Sequence, residues 1–192
     1  MRSSPRTTPT RARLGGTAAV LAGLCYGAAG YLDTPASSGY TGALVSVLSM
    51  ALPALFLGGL LGLHARLPDA TQTDFASSAG FVGFVSGCFG AVLGIAGALG
   101  LEGTETTLFW WVPFLIGLTL MGLAASLTGG LRPLGAVVSI SGALGWVSLL
   151  TDPEFSGGVL VPMRLVHVAF AAAFCLSWVV WGAILMVPSE NR

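Results

Sequence analysis

The chain has 192 residues, 54% of them hydrophobic and only 8% charged, against roughly 25% charged in soluble domains. So few charges cannot clothe a water-facing surface of this size, which excludes an ordinary soluble domain. The formal net charge of zero leaves no basic footprint for nucleic acid, and the absence of lysine rules out a Schiff-base pigment or cofactor.

A membrane-crossing helix needs about 20 apolar residues. In chain order the candidates are Leu14–Leu32, Ala43–Leu63, Phe75–Leu101, Leu108–Leu127, Leu134–Leu150 and Met163–Val187. The expected fold is therefore an all-α membrane protein, a six-transmembrane-helix bundle. It forms one domain over 14–187, between a short basic disordered cytoplasmic tail (1–13) and a C-terminal cytoplasmic tail (188–192). Every Asp and Glu lies between or outside the spans, as does every Arg except Arg164.

Helix signals fall where this division needs them. Thr71/Asp74 and Thr151/Glu154 have capping-box spacing. Pro35, Pro68, Pro133, Pro153 and Pro162 are read as punctuating connections. The third span is long for a vertical crossing, which predicts tilt or projection into one interface.

With alternating spans, Arg2, Arg6, Arg11, Arg13, Arg66, Arg132 and Arg192 share one side and only Arg164 lies on the other. The positive-inside rule then places both termini in the cytoplasm of a prokaryotic cell, with the chain in the cytoplasmic membrane. Asp33, Glu102, Glu105, Asp152 and Glu154 make the outer face acidic. A secretory signal, with Ala28-Ala29-Gly30 as a cleavage site, is the alternative reading of the first span.

The third span carries the clearest packing signal. Ala76, Gly80, Gly83, Gly87, Gly90, Gly94 and Gly97 recur at alternating spacings of four and three. This heptad seam of small residues lets a neighbouring helix lie very close. The neighbour is expected within this chain; a second copy, a partner subunit, or a flat lipid or pigment are the alternatives. Gly23/Gly27 and Gly58/Gly62 are shorter versions. Leu24–Gly27, Gly87–Gly90 and Gly142–Gly145 open stretches that each close on a proline, Pro68, Pro133 and Pro188. That recurrence suggests three similar helical hairpins.

Candidate chemistry is sparse. Cys25, Cys88 and Cys175 lie inside spans without a Cys-x-x-Cys pair and read as small buried residues. His64 and His167 fall at opposite membrane faces, too far apart to clamp one haem. No metal-ligand cluster is visible, so no cofactor is expected. No Asp, Glu or Lys occupies a span centre, which weighs against a proton-coupled pump. Val138–Gly145 resembles the serine motif of rhomboid intramembrane proteases, with His167 as base. Ser141 and His167 differ in depth by roughly 15 Å at 1.5 Å per helical residue, which forbids the dyad.

The one ionisable group of interest is Arg164 with His167, three residues apart on one helical face near the outer surface. Trp110 and Trp111 fall at the same depth. A structural reading has Arg164 snorkelling or pairing with an outer carboxylate, and the tryptophans forming an interfacial belt. A functional reading makes the four residues a site for an anionic headgroup or ligand.

The stretch Gly58-Gly59-Leu60-Leu61-Gly62-Leu63-His64-Ala65-Arg66, with Gly122-Leu123-Ala124-Ala125 and Trp178–Gly182, resembles uncharacterised small six-helix membrane proteins of bacteria and archaea. That likeness implies the fold and no activity. Size and span number also resemble the substrate-binding components of energy-coupling vitamin transporters, whose first-helix contact spacing Ala18 and Ala22 match. These features predict a non-enzymatic scaffold or accessory subunit, with membrane lipids, a second copy or membrane-protein subunits as partners. A binding component or permease for a small or lipophilic molecule is the alternative.

Overall fold

A computed structural model of the chain describes residues 8–32, 40–67, 75–100, 107–128, 131–152 and 161–187, with side chains except at 8–9, 107–109 and 161–165. These residues form six helices: α1 (Thr8–Leu32), α2 (Tyr40–His64), α3 (Phe75–Ala98), α4 (Thr107–Leu127), α5 (Arg132–Thr151) and α6 (Val161–Met186). Each is long and apolar enough to cross a membrane. The protein is an all-α, six-helix polytopic membrane protein.

Its surface is the reverse of a soluble bundle. Phe81, Val85, Phe89 and Val92 stand exposed on α3, as Val47 and Met50 do on α2. The small residues of α3 are turned inward instead. That polarity suits a solvent of lipid tails, in which association depends on close packing rather than on hiding apolar area.

Helix boundaries depart from the sequence expectation in four places. First, α1 begins at Thr8, so residues 8–13 of the segment read as a disordered tail continue the first helix. Second, α3 stops at Ala98, short of Leu101, where Gly100 takes a left-handed φ of 73° and its N–H donates to Gly97. Third, Pro133 and Pro162 occupy the first turns of α5 and α6 rather than connections, where a missing N–H costs nothing. Fourth, Thr151 is the last residue of α5 and donates to the Val147 carbonyl (2.7 Å), while Glu154, its capping-box partner, lies outside the described residues. The Thr71/Asp74 pair lies outside the described residues.

Pro53 and Pro113 sit inside α2 and α4. Membrane bundles tolerate such prolines because neighbouring helices re-satisfy the backbone. The Ser86 hydroxyl of α3 donates to the carbonyl of Pro113 itself at 2.8 Å, which ties α3 to α4 beside the proline.

The helices form a ring in chain order, closed by α6 against α1, and α2 also reaches across to α4 and α6. Every consecutive pair packs, so no grouping into three hairpins is singled out. The axis is solid. Phe56 of α2 is its hub, with ring centroids 4.6 Å from Trp178, 5.0 Å from Phe114, 5.8 Å from Trp111 and 6.3 Å from Phe174. Phe56, Phe114, Trp178 and Trp181 are completely buried.

Glycines set how closely the ring can draw in. A Cβ added at Gly83 would meet Leu120 Cβ and the Met121 nitrogen at 2.8 Å. At Gly90 it would meet the Phe114 nitrogen at 2.5 Å, and at Gly94 the Pro53 Cβ at 2.9 Å. Gly80 faces Ala124 and Gly87 faces Leu60 and Gly117. These five seam positions therefore face α2 and α4 of the same chain, while Ala76 and Gly97 are half-buried near the ends of α3. Gly15 with Gly62 and Gly16 with Gly182 make comparable approaches of α1 to α2 and α6.

Candidate functional site

The two ends of the ring differ chemically. At the end that carries Arg11, Arg13, Arg66 and Arg132, the Arg66 guanidinium donates through Nη2 to the carbonyls of Leu185 (3.0 Å) and Val187 (2.9 Å). It thereby caps the C-terminus of α6, where the orphan carbonyls and the negative end of the helix dipole favour a cation. His64, beside it, stacks on Phe84 with ring centroids 4.0 Å apart.

The opposite, acidic end holds a small cavity of about 30 Å³ lined by Tyr26, Trp111, Gly145, Ser148, Leu149, Asp152, His167 and Phe174. That volume suits roughly one water molecule. Four helices contribute to it: α1 brings Tyr26, α4 Trp111, α5 Gly145, Ser148 and Leu149 with Asp152 just beyond, and α6 His167 and Phe174.

The aromatic wall is a closed triangle. Tyr26, Trp111 and Phe174 pack edge to face, with centroids 5.8 Å (Tyr26–Trp111), 5.7 Å (Tyr26–Phe174) and 5.9 Å (Trp111–Phe174) apart. Such pairs hold ring orientation beyond their area burial. The polar wall is the last turn of α5. There Asp152 N–H donates to Leu149, which leaves the Ser148 carbonyl for other donors. The His167 ring takes that place, with Nδ1 2.9 Å from the Ser148 oxygen. A carbonyl only accepts, so Nδ1 is the donor in this hydrogen bond. Tyr26 and Ser148 face each other across the cavity they both line.

Of the four candidate site residues, Trp111 and His167 line this cavity. Trp110 stands behind, stacked on Trp111 at 4.4 Å. Arg164 lies on α6, one turn before His167, and its side chain is outside the described residues. Trp111 is only 8% exposed and points inward, not outward as a belt residue would. Tyr26, Ser148 and Phe174 escaped the sequence reading. Only Asp152, an acid at the outer end of a span, gave any signal there.

Other candidates resolve into structure. Ser141 donates to Val137 of its own helix, and His167 engages α5 seven residues further on, about 10 Å along the axis. They form no catalytic pair. Cys25, Cys88 and Cys175 are free thiols. Among the described residues no group of three or more His, Cys, Asp or Glu could hold a metal ion. Ala22 is fully buried and Ala18 lies against Gly58, so both serve the bundle itself.

No protein-family model, curated protein or solved structure matches this chain. The likeness of Gly58–Arg66 to other small membrane proteins therefore assigns no family.

Proposed function

We propose that the protein is a non-enzymatic scaffold or accessory subunit, packing against other membrane proteins in a prokaryotic cytoplasmic membrane with both termini on the cytoplasmic side. The observation that supports this reading best is the filled axis. Among the described residues, Phe56, Phe114, Trp178 and Trp181 fill the middle of the ring with buried aromatic side chains. The chain offers instead its apolar outer surface, broadest along the first half of α2 and the outer face of α3.

Purification in a mild detergent followed by cross-linking and mass spectrometry tests this. A stoichiometric membrane-protein partner or a second copy is the expected result. A lone monomer that catalyses solute uptake in proteoliposomes would refute it.

The cavity at the acidic end favours a second reading, a binding component for a small molecule held near Arg164, His167, Trp110 and Trp111. A co-purifying molecule lost on Arg164→Ala, with the bundle still folded, would support an anionic ligand on that arginine. Binding that persists in the variant would remove Arg164 from the site.

A further inference from the structure

We infer that the outer face of α1, at the arginine end of the bundle, binds a net-anionic phospholipid. Arg11 and Arg13 hold its phosphate, and an acyl chain lies along Leu14, Leu21 and Leu24. This site is separate from the acidic-end cavity and independent of both readings above.

The arrangement of the cations is the first support. Gly15 lies against Gly62 and Ala18 against Gly58, so α1 and α2 run antiparallel in close contact. One turn further out, Arg11 comes level with Arg66. Arg13 is one turn before Thr17, whose hydroxyl lies 3.6 Å from Met186 Sδ, and is thus carried towards the end of α6. Arg66 is engaged on the Leu185 and Val187 carbonyls, so its contribution here is its charge. The side chains of Arg11 and Arg13 are exposed, in the first turns of α1, where the helix dipole is positive. Three guanidinium groups at one corner repel one another, and an anion between them relieves that repulsion. Arginine also presents a planar fork that matches phosphate oxygens.

The charge balance of this end favours an anion as well. By sequence Arg2, Arg6, Arg11, Arg13, Arg66, Arg132 and Arg192 share it with Asp69, Asp74 and Glu190, seven positive charges against three negative. Those three carboxylates lie outside the described residues. Among the described residues the one carboxylate, Asp152, is at the opposite end. A zwitterionic headgroup would bring its ammonium into the same positive field and lose what its phosphate gains. A net-anionic headgroup has no such loss.

The apolar strip below the arginines is the second support, and it points to a lipid rather than a free phosphate. Arg13, Leu14, Thr17, Leu21 and Leu24 stand exposed along one side of α1, while Gly15, Gly16, Ala19, Ala22 and Gly23 are buried on the other. From Leu14 to Leu24 the helix rises about 15 Å, one leaflet of a hydrocarbon core about 30 Å thick. Cations at the head of a leaflet-long leucine strip match an amphiphile with phosphate at one end. A free phosphate would use the cations alone.

The test reconstitutes the full chain in vesicles of phosphatidylglycerol and phosphatidylcholine, re-extracts it in mild detergent and reads the retained lipid by native mass spectrometry. Phosphatidylglycerol should be enriched about tenfold over phosphatidylcholine. Each basic residue near an anionic lipid surface is worth roughly fivefold in affinity, so Arg11→Gln with Arg13→Gln should abolish the enrichment. Both side chains are exposed, so the unfolding midpoint should not move. Should the double variant fail to fold, the single variants replace it, each about fivefold weaker. Arg132→Gln removes the same charge from α5, which packs against α4 and α6, and should keep most of the enrichment. An equal loss in Arg132→Gln would assign the effect to diffuse charge and overturn the site. Glycerol phosphate, a headgroup without tails, should not displace the lipid; displacement would overturn the lipid in favour of a soluble phosphate. Equal retention of the two lipids by the wild type overturns the proposal. So does enrichment that appears only after Asp69→Asn with Glu190→Gln, since the chain's own carboxylates would then occupy the arginines.

Discussion

Gly87 and Gly117 meet backbone to backbone where α3 crosses α4. A Cβ built on Gly117 would fall onto the nitrogen and Cα of Gly87, neither of which can turn aside. Gly117 is not part of the heptad seam; it is the partner the seam needs on the opposing helix. Gly30 is the opposite case, with nothing within 4 Å of an added Cβ.

Substitution at these sites should therefore diverge. Gly90→Leu and Gly117→Ala force α3 from α4, Gly87→Leu presses α3 against Leu60 of α2 as well, and each should cost about 1–3 kcal/mol through overpacking. Gly30→Ala meets open space and should be neutral or slightly stabilising, since alanine is about 1 kcal/mol the better helix former. Thermal unfolding in detergent compares them. Equal midpoints for Gly90→Leu and Gly30→Ala would show that the α3–α4 contact does not hold the bundle.

The Arg66 cap makes a second comparison. Arg66→Ala leaves the Leu185 and Val187 carbonyls without this donor, a loss of about 1–2 kcal/mol for a charged donor at a helix C-terminus. Hydrogen exchange should rise in the last turn of α6 and little elsewhere. Arg66→Lys keeps the charge and should recover part of the protection, though one ammonium reproduces the two-carbonyl geometry imperfectly. Unchanged exchange in Arg66→Ala would mean that water already satisfies this end.

The fold was legible in the sequence because lipid imposes a crude rule, six apolar runs and charges kept outside, that needs no tertiary knowledge. Helix ends were less legible. Nothing in Thr8–Arg13 is apolar enough to mark a span, yet a helix begun in the membrane can continue into water through such residues. Pro53 and Pro113 lie mid-span, where hydropathy is blind to them. The acidic-end cavity was half legible. Trp111 and His167 could be placed at one depth by counting from span ends, since depth is a property of each helix alone. Tyr26 and Phe174 could not, because their meeting depends on α6 closing against α1 and on which way each helix is rotated. The inward turn of Trp111 has the same cause.

The indole nitrogens of Trp178 and Trp181 are buried and have no hydrogen-bond partner among the described residues. A buried donor left unmade costs about 1–3 kcal/mol. Trp181→Phe removes that donor and keeps an aromatic ring in the core. Its lost volume and its relieved donor should nearly cancel, so the midpoint should move by no more than a few degrees. Phe56→Ala, at the hub of the aromatic core, has no such compensation and should cost about 3 kcal/mol or more. A large loss in Trp181→Phe would reveal an acceptor, such as an ordered water, on the indole.

Orientation is the remaining prediction. The arginine end includes Arg11, Arg13, Arg66 and Arg132, and the acidic end includes Asp152. Lys and Arg flanking short loops resist translocation, and acids contribute little to the bias. The arginine end should therefore be cytoplasmic. In a background with Cys25, Cys88 and Cys175 replaced by Ala, a cysteine at Ser4 should resist a membrane-impermeant thiol reagent in intact cells, and one at Ser156 should react. Permeabilised cells should label both, which controls for thiols that are inaccessible for other reasons. The reverse pattern would invert the bundle and turn the acidic-end cavity toward the cytoplasm.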